Sequence, residues 1–494
     1  MDELWVDDAP LATHLALLSG KGRCHNFHAV PWAGILDAVP AEFARAYRTL
    51  LGTNLPLIDG SWAGGTVDSF FAPDGPLAAA QQLAADAFGA DATFFGTSGT
   101  TTSNRIALAS LRHPGARILM DCTAHQSLLF AAEEMAVTPT PGTGREDDAC
   151  IDVAATARLL ADHAVQGRPF DALVLSATGY DGRRLRLDQA LPLLAAASPA
   201  TALVVDEAWS ALHAFAPQTA GSTALAVCSG LERQAPVLVT QSAHKTMAAL
   251  RQGSYLHVLG SPDDVARVRQ ATYRIHTTSP SWPILASLDL ARQHAQRYGA
   301  TAFARAVKLR AGLEAALRRD PATTALLAPD PQDPFHDTDP LVLRLHVGQG
   351  ARALRDWLFA EHNVLVKIAG DRLIVRVHLG VTAADVDALL NGLRDLAAGA
   401  GPTRADARPI RAAHLEPAIG SRSRGYIIPY PPGVPLARPG EIWTARHAAA
   451  LAHERARGAE IHHLPSGRGN APDDQSPGDP AIAEPDFYSA GADR

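Results

Sequence analysis

TQSAHKTMAAL, residues 240–250, follows the apolar run PVLV and contains Lys245, one of only four lysines among 494 residues. The chain has 44 basic residues, and 40 of them are arginine. A coding bias toward arginine can replace a lysine that serves only as a positive charge. It cannot replace a lysine whose neutral amine must form an imine, because a guanidinium does not deprotonate at working pH. We therefore predict that Lys245 forms a Schiff base with an aldehyde.

The composition is that of a globular protein without a basic binding face. Hydrophobic residues make up 47% of the chain and charged residues 19%, and the net charge is −7. Clustered lysine is absent, which argues against a nucleic-acid partner. The acidic N-terminus MDELWVDDAP lacks the apolar core of a signal peptide, and no apolar run is long enough to span a membrane. We expect a cytoplasmic enzyme that acts on a small molecule.

The four cysteines, Cys24, Cys122, Cys150 and Cys228, match no zinc or redox spacing. A chain of this length does not need disulfides to stabilise its core. We expect reduced thiols and no metal site.

Short apolar runs alternate with helical patterns between residues 76 and 325. Runs such as ARILMD, FDALVLSA and TALVVDEA do not alternate between apolar and polar positions. This pattern is typical of strands that are buried on both faces, as in a parallel sheet covered by helices. We predict a large α/β domain with a mostly parallel, doubly wound sheet over residues 76–325.

Three further regions flank this domain. Residues 1–75 mix short helical patterns with Gly-rich loops. After the polar segment APDPQDPFHDTDP, the patterns indicate a smaller α+β C-terminal domain over residues 326–460, in which YIIPYPPGVPLARPGE, 426–441, is loop-like. Residues 461–494 are rich in Gly, Pro, Asp and Ser, which predicts a disordered tail.

Four predicted strand ends carry polar residues, and ligands of open α/β sheets bind beyond the carboxyl ends of the strands. The first end is GTTTSN, Gly99 to Asn104, where hydroxyls and backbone N–H groups at a helix N-terminus would suit a phosphate. Taken alone, this segment is better explained as a Ser/Thr-rich helix cap.

The other three ends carry His125, Asp206 and Lys245. An imidazole at residue 125 could stack on a flat ring, although a lone histidine is more often a structural hydrogen-bond partner. A buried carboxylate at residue 206 needs a partner, such as a protonated ring nitrogen, or it caps a helix. The remaining lysines, Lys21, Lys308 and Lys367, are interpreted as surface charges, although the last of them lies in an apolar strand.

Together the four strand ends fit one cofactor, pyridoxal 5′-phosphate (PLP). PLP requires a lysine for its aldehyde, a carboxylate for its pyridinium nitrogen, an anion pocket for its phosphate and a face that stacks on its ring. The chain offers these groups at successive strand ends, with Asp206 and Lys245 separated by enough residues for one strand and helix. We predict a PLP site.

Seven segments between residues 20 and 445 carry a wider pattern: FFGTSGTTTSNRIAL, DCTAHQSLLFA, GYDGRRLRLD, VDEAWSALHAF, TQSAHKTMAALRQGSYLHV, TTSPSWPILASLDLAR and YPPGVPLARPGE. In this order they resemble the Orn/Lys/Arg decarboxylase family of fold-type I PLP enzymes. The resemblance implies a fold-type I PLP-dependent transferase-like large domain. It also implies a homodimer or larger homo-oligomer with active sites near the subunit interfaces.

The resemblance assigns roles by position. Lys245 looks like the lysine that binds the PLP aldehyde, Asp206 like the partner of the pyridine nitrogen, and His125 like the ring-stacking histidine. The implied phosphate pocket comprises Gly99, Thr100, Thr101, Thr102, Ser242 and His244, and the residues beside the ring are Ala208 and Trp209. Two residues of the TTSP segment, Thr278 and Ser279, are implied to approach the cofactor of the partner subunit.

The chain departs from the family pattern in three places. It resembles the compact members, which lack the N-terminal wing domain of the large inducible ones. FHAVPWAG, residues 27–34, stands where the family often has His-x-Pro-Gly-His-Lys. Gly179 stands where a threonine commonly precedes the Tyr-Asp-Gly turn. These differences bear on the substrate more than on the cofactor.

The resemblance implies decarboxylation of a basic amino acid to an amine and CO₂, with arginine slightly favoured over ornithine and lysine. A group near Cα, Lys245 or His125, would return the proton. Fold alone does not choose the reaction, so an aminotransferase, aldolase or lyase stays open. A non-catalytic regulatory relative is disfavoured because Lys245, Asp206 and His125 are all retained.

Overall fold

The computed structural model describes most of the chain. The described residues are 8–20, 32–53, 55–60, 62, 67–135, 140–141, 150–401, 416–430, 433, 435–456 and 459–465. Some features of the sequence analysis lie outside them: Lys21, Cys24, residues 27–31 of the FHAVPWAG segment and residues 466–494 of the predicted tail.

Strands and helices alternate along much of the described chain. The strands are β1 Ala92–Gly96, β2 Ile118–Met120, β3 Thr140–Pro141, β4 Ala172–Ser176, β5 Arg183–Leu185, β6 Ala202–Asp206, β7 Val237–Gln241, β8 Ser254–Leu259, β9 His336–Thr338, β10 Val342–His346, β11 Lys367–Ala369, β12 Arg372–Arg376, β13 Gly425–Tyr430 and β14 Glu460–Pro465. The α-helices are α1 Pro10–Gly20, α2 Trp32–Ala38, α3 Ala41–Leu51, α4 Leu55–Ile58, α5 Pro76–Phe88, α6 Gly99–Ser110, α7 Gln126–Glu134, α8 Val153–Val165, α9 Leu187–Ala197, α10 Ala224–Ser229, α11 Ala243–Thr246, α12 Pro262–Ile275, α13 Trp282–Leu317, α14 Pro321–Thr324, α15 Ala351–His362, α16 Ala383–Ala397 and α17 Ala445–Ala456. Short 3₁₀ helices are formed by Ala211–Phe215, Ala220–Ser222 and Gly348–Gly350.

A seven-stranded sheet in the order β1-β8-β7-β6-β4-β2-β3 forms the centre of the large α/β region. Its neighbouring pairs β7-β6, β6-β4, β4-β2 and β2-β3 are parallel. Strand β8 runs antiparallel to both β1 and β7. The sheet is therefore mostly parallel, and the predicted fold class is confirmed.

Helices cover both faces of this sheet, which explains why strands such as β4 are apolar along most of their length. On β4, Leu173 and Leu175 pack into one hydrophobic cluster with α5, α8, α9 and α13. The alternate residues Ala172 and Val174 pack into a second cluster with α6, α7 and α12. Because every side chain of such a strand is buried, selection for apolar residues acts on both faces.

A separate three-stranded antiparallel sheet, β10-β12-β11, follows the long helix α13. Helix α15 packs on this sheet and on α16, and α16 also contacts α13. This sheet places Lys367 and Arg376, at the start of β11 and the end of β12, near the large sheet.

Two predictions for the C-terminal region, a loop from residue 426 and a disordered tail from residue 461, are partly wrong. The segment beginning YIIPY was predicted to be a loop, but Gly425–Tyr430 is a strand that pairs with Glu460–Pro465. The first residues of the predicted disordered tail, 461–465, are thus part of a strand. Their pairing depends on a partner that lies far away in the chain, and local composition does not report such a partner.

Among the described helices, none has both the length and the apolar character that crossing a bilayer requires.

Candidate active site

The carboxyl ends of the parallel strands surround a cavity of about 370 Å³. The sheet register places Asp206, the last residue of β6, beside Ser176 of β4 and Thr240 of β7. Most of the predicted site residues line this cavity: Gly99, Thr100, Thr101, His125, Asp206, Ala208, Trp209, Ser242, His244 and Lys245. The structure therefore brings these residues together from four separate segments.

Asp206 is a buried carboxylate held by two donors. Its Oδ2 accepts a hydrogen bond from Asn104 Nδ2 at 3.1 Å, and its Oδ1 accepts one from the backbone N–H of Ala208 at 2.9 Å. Asn104 is itself anchored, because its Oδ1 accepts a hydrogen bond from Thr240 Oγ1 at 2.6 Å. These two hydrogen bonds fix the orientation of the carboxylate, and Asp206 also lines the cavity.

His125 precedes α7 and acts as its N-cap. Its Nδ1 accepts a hydrogen bond from the backbone N–H of Ser127 at 3.2 Å and lies 2.8 Å from Ser127 Oγ. An accepting Nδ1 places the proton of the neutral ring on Nε2. Burial lowers the pKa of His125, with Lys245 adding to the effect and Asp206 opposing it. His125 is thus a neutral ring that caps α7 and also lines the cavity.

The N-terminus of α6 forms another wall of the cavity. Ser98 precedes the helix but makes no side-chain capping bond, and the first N–H groups of a helix have no acceptor within it. The hydroxyls of Thr100 and Ser242 are hydrogen-bonded to each other. Thr102 differs from its neighbours, because its hydroxyl donates to the carbonyl of Ser98 at 3.2 Å and it does not line the cavity.

Lys245 lies on the short helix α11, directly after β7. Its Nζ is 4.4 Å from the centre of the Trp209 ring. Burial lowers the pKa of Lys245, and the cations Arg376 and Arg251 lower it further, whereas Asp206 raises it. A lysine with a lowered pKa supplies the neutral amine that nucleophilic attack on an aldehyde requires.

A model of the family described as Orn/Lys/Arg decarboxylase, major domain, matches residues 35–332 of the chain. The chain belongs to the Orn/Lys/Arg decarboxylase family. Members of this family are PLP-dependent amino-acid decarboxylases, that is, carboxy-lyases, and this chain is one of them.

Three individual proteins illustrate how this decarboxylase relates to others. It is 26% identical over 453 residues to an arginine decarboxylase of Halalkalibacterium halodurans, covering 84% of this chain and 88% of the relative. It is 31% identical over 243 residues to the inducible ornithine decarboxylase of Escherichia coli, covering 45% of this chain and 33% of the relative. The crystal structure of the lysine decarboxylase LdcF of Francisella novicida has the same fold, with a TM-score of 0.74 at 18% identity over 92% of this chain and 79% of that one.

The decarboxylase contains cations at this site that the sequence analysis missed. Lys367 Nζ lies 4.3 Å from the centre of the Trp209 ring and 2.9 Å from that of Tyr180. Arg376 Cζ lies 4.7 Å from the same Trp209 ring. The interpretation of Lys367 as a surface charge was therefore wrong, whereas Lys308 is indeed exposed, on α13. The rarity of lysine, which drew attention to Lys245, applied equally to Lys367.

The two remaining predicted residues, Thr278 and Ser279, are exposed in the segment between α12 and α13 of the decarboxylase. They line neither the cavity around Lys245 nor the larger one beside it. Their role toward a partner subunit stays a prediction.

Proposed function

We propose that this decarboxylase acts on a basic amino acid, arginine ahead of ornithine and lysine, with PLP held by Lys245. The observation that carries this proposal is the meeting of three groups around one cavity: an amine with a lowered pKa, an anchored carboxylate and a helix N-terminus. The products are CO₂ and the corresponding amine.

The donor set fits PLP group by group. Lys245 offers the amine for the aldehyde, and Asp206 offers a carboxylate for the pyridine nitrogen. The helix N-terminus, together with the hydroxyls of Thr100 and Ser242, offers donors for a phosphate. His125, Ala208 and Trp209 line the same cavity and would enclose the ring.

PLP supplies an electron sink for the pair of electrons that stays on Cα when CO₂ departs. The residues of the chain do the rest. Asp206, fixed by Asn104 and the N–H of Ala208, holds a proton at the ring nitrogen. His125 and Trp209 line the cavity and would exclude water from it. A proton must then reach Cα, and Lys245 and His125 are the two proton donors predicted from the sequence.

The preference for arginine is supported by how the relatives align. Three relatives named arginine decarboxylase, all 26% identical, are covered over 80% or more of their length. The relatives named lysine and ornithine decarboxylase, at 30% and 31%, are covered over only 37% and 33%. At the level of sequence, the arginine-named relatives thus align with this chain over more of their length.

We further propose that the chain forms a homodimer or larger homo-oligomer in which Thr278 and Ser279 approach the partner's cavity. Both side chains are exposed in the single chain.

The function is tested by incubating the PLP-loaded protein with a panel of amino acids and measuring the products by mass. We expect loss of CO₂ from arginine, and more slowly from ornithine or lysine. Lys245→Ala should lose the visible absorbance of the bound cofactor and reduce turnover to background, because the amine that binds the aldehyde is removed. Lys308→Ala, at an exposed position, is the matched control and should retain both. Keto-acid formation without CO₂, or full turnover in Lys245→Ala, contradicts the proposal.

A further inference from the structure

Two of the four lysines of this chain meet at one indole ring. The Nζ atoms of Lys245 and Lys367 lie 4.4 and 4.3 Å from the centre of the Trp209 ring. Lys245 follows a strand of the large sheet, whereas Lys367 begins β11 of the small sheet. Both side chains line a cavity of about 920 Å³ that shares Trp209, His244 and Lys245 with the smaller one. The amine of Lys367 thus contacts Trp209, a wall of the candidate active site, from the small sheet.

We propose that Lys367 is the group that delivers the proton to Cα of the substrate after CO₂ has left. This role presupposes the proposed decarboxylation. Atoms and charges are conserved in this step. The bond between Cα and the carboxylate breaks, CO₂ leaves as a neutral molecule, and the electron pair stays at Cα. The ammonium of Lys367 then gives one proton to Cα and becomes a neutral amine, which takes up a proton from the next substrate or from water.

The surroundings of Lys367 favour proton transfer over fixed charge. Burial lowers the pKa of Lys367 to about 6, and the cations Arg376 and Lys245 contribute to this shift while Asp181 opposes it. Its Nζ also lies against the face of Tyr180, whose pKa burial raises to about 12, so the phenol remains neutral. A lysine with a pKa near 6 exchanges its proton readily at neutral pH.

The change of substrate charge during the reaction would drive this transfer. An incoming carboxylate near Lys367 favours the ammonium form, because opposite charges within a few ångström raise the pKa of an amine. When CO₂ leaves, that negative charge is gone and the pKa falls again. The ammonium therefore becomes a stronger acid at the point at which Cα needs a proton.

Arg376 does not fill the same role, although it contacts the same ring. Its Nη1 donates to Asp339 Oδ2 at 2.6 Å, and a guanidinium does not release its proton at working pH. Burial opposes ionisation of Asp339, but Arg376 and His213 outweigh it and hold the pKa of that carboxyl well below its ordinary value. The Arg376–Asp339 pair is a fixed ion pair, so Lys367 is the exchangeable one of the two cations that contact Trp209 from the small sheet.

Three variants separate proton transfer from charge and from structure. Lys367→Met keeps a chain of similar length without an amine, Lys367→Arg keeps the charge without an exchangeable proton, and Lys308→Met is the exposed control. We expect the rate constant kcat to fall by about 10² to 10⁴-fold in both Lys367 variants, with KM changed far less, and neither value to change in the control. In D₂O, the wild-type product should carry one deuterium at the former Cα in a single configuration. The Lys367→Met product should be a mixture of configurations.

Three outcomes would contradict the proposed role of Lys367 as the proton donor. A kcat in Lys367→Met within twofold of the wild type, or a single unchanged configuration, excludes Lys367 as the donor. Restoration of kcat by Lys367→Arg shows that only its charge matters.

A measurement independent of turnover uses trace acetylation of the PLP-loaded wild type across pH, followed by mass spectrometry. Lys367 should be acetylated at neutral pH well ahead of Lys308, because its amine is already deprotonated. Acetylation of Lys367 only at alkaline pH overturns the role. If no amino acid releases CO₂, the proposed function fails, whereas the acetylation result still reports on Lys367.

Discussion

Asn104 connects the carboxylate of the site to the interior of the protein. Its Nδ2 donates to Asp206 Oδ2 at 3.1 Å and to Ser127 Oγ at 3.0 Å, while its Oδ1 accepts from Thr240 at 2.6 Å. All polar atoms of this amide are therefore engaged on the inside of the sheet edge. Such a fully bonded group holds Asp206 in one orientation, which is what recognition of a ring nitrogen requires.

Two threonines of α6 differ in the partners of their hydroxyl groups. Thr100 faces the cavity and bonds with Ser242, whereas Thr102 bonds back to Ser98. We expect Thr100→Val to raise the Kd of PLP by about tenfold or more, since a hydrogen bond to a charged group contributes about 1.5–3 kcal/mol. Absorbance titration of the cofactor-free protein measures this, and Thr102→Val serves as the control.

Pyridoxal, which lacks the phosphate, provides the second comparison for these variants. Its Kd should be the same in the wild type and in Thr100→Val. Equal losses of PLP affinity in the two valine variants, or an equal loss for pyridoxal, would mean that the hydroxyl of Thr100 does not bind phosphate. The implied role of Thr102 in the phosphate pocket is tested at the same time.

At the scale of elements, the antiparallel strand β8 carries a buried polar row across the sheet. His257 lies between Thr93 of β1, at 2.8 Å, and Gln241 of β7, at 3.1 Å. Gln241 Nε2 donates to Glu207 Oε2 at 2.8 Å, so its Oε1 is the atom that accepts from His257 Nε2. The ring is neutral with its proton on Nε2, and its Nδ1 accepts from the hydroxyl of Thr93.

This buried histidine should make stability depend on pH. Burial lowers the pKa of His257 from 6.5 to about 3. Between these values the unfolded chain binds a proton that the folded chain does not, so stability falls as the pH falls, by up to about 1.4 kcal/mol per pH unit. We expect His257→Gln to lose this component, and urea unfolding from pH 8 to pH 4 measures it.

The comparison at pH 8 isolates the other effects of His257→Gln. There both chains are uncharged at this position, and the difference in free energy of unfolding reports only lost contacts. Below pH 6.5 the wild type should lose stability more steeply than the variant. Parallel curves over the whole range would show that His257 titrates normally in the folded protein.

At the scale of the whole molecule, buried carboxylates tie distant segments to the core. Asp289 of α13 accepts hydrogen bonds from the N–H groups of Leu11 and Ala12, at the start of the chain. Asp339 lies 3.4 Å from His213 of the large α/β region and 2.6 Å from Arg376 of the small sheet. Asp339 thus links the 3₁₀ helix that follows Trp209 to the end of β12.

The predicted homo-oligomer can be tested on the intact protein. We expect a mass in solution of at least twice 52.1 kDa. Chains carrying Lys245→Ala and chains carrying both Thr278→Trp and Ser279→Trp should each be inactive alone. Coexpressed, they should recover up to about a quarter of the wild-type activity, because half of the dimers are mixed and each mixed dimer has one intact site.

Chains carrying Lys245→Ala mixed with chains carrying Asp206→Ala are the control for this experiment. Both of these residues line the cavity of their own chain, so every site in a mixed dimer carries one lesion and no activity should return. A monomeric mass, or full activity in the tryptophan variant alone, contradicts the predicted role of Thr278 and Ser279.

Much of the site could be predicted because it is built from strand ends. Gly99, His125, Asp206 and Lys245 each follow or end a short apolar run, and parallel strands bring such ends to one edge. Asn104 was within a quoted motif, but a buried amide has no signature of its own in the sequence. The pairing of β13 with β14 was missed because it joins segments whose composition alone indicates loops.

The class of chemistry follows from local features of the chain. A lysine among 40 arginines, a carboxylate at the end of a buried strand and a hydroxyl-rich helix start have residue types that limit the cofactor they suit. Which cations lie beside Trp209, in contrast, depends on the packing of distant segments. Lys367 and Arg376 belong to another sheet, and they reach Trp209 because that sheet packs against the large one. The pKa of Lys367 follows from this packing, since burial and neighbouring charges are properties of the assembled site and not of the residue.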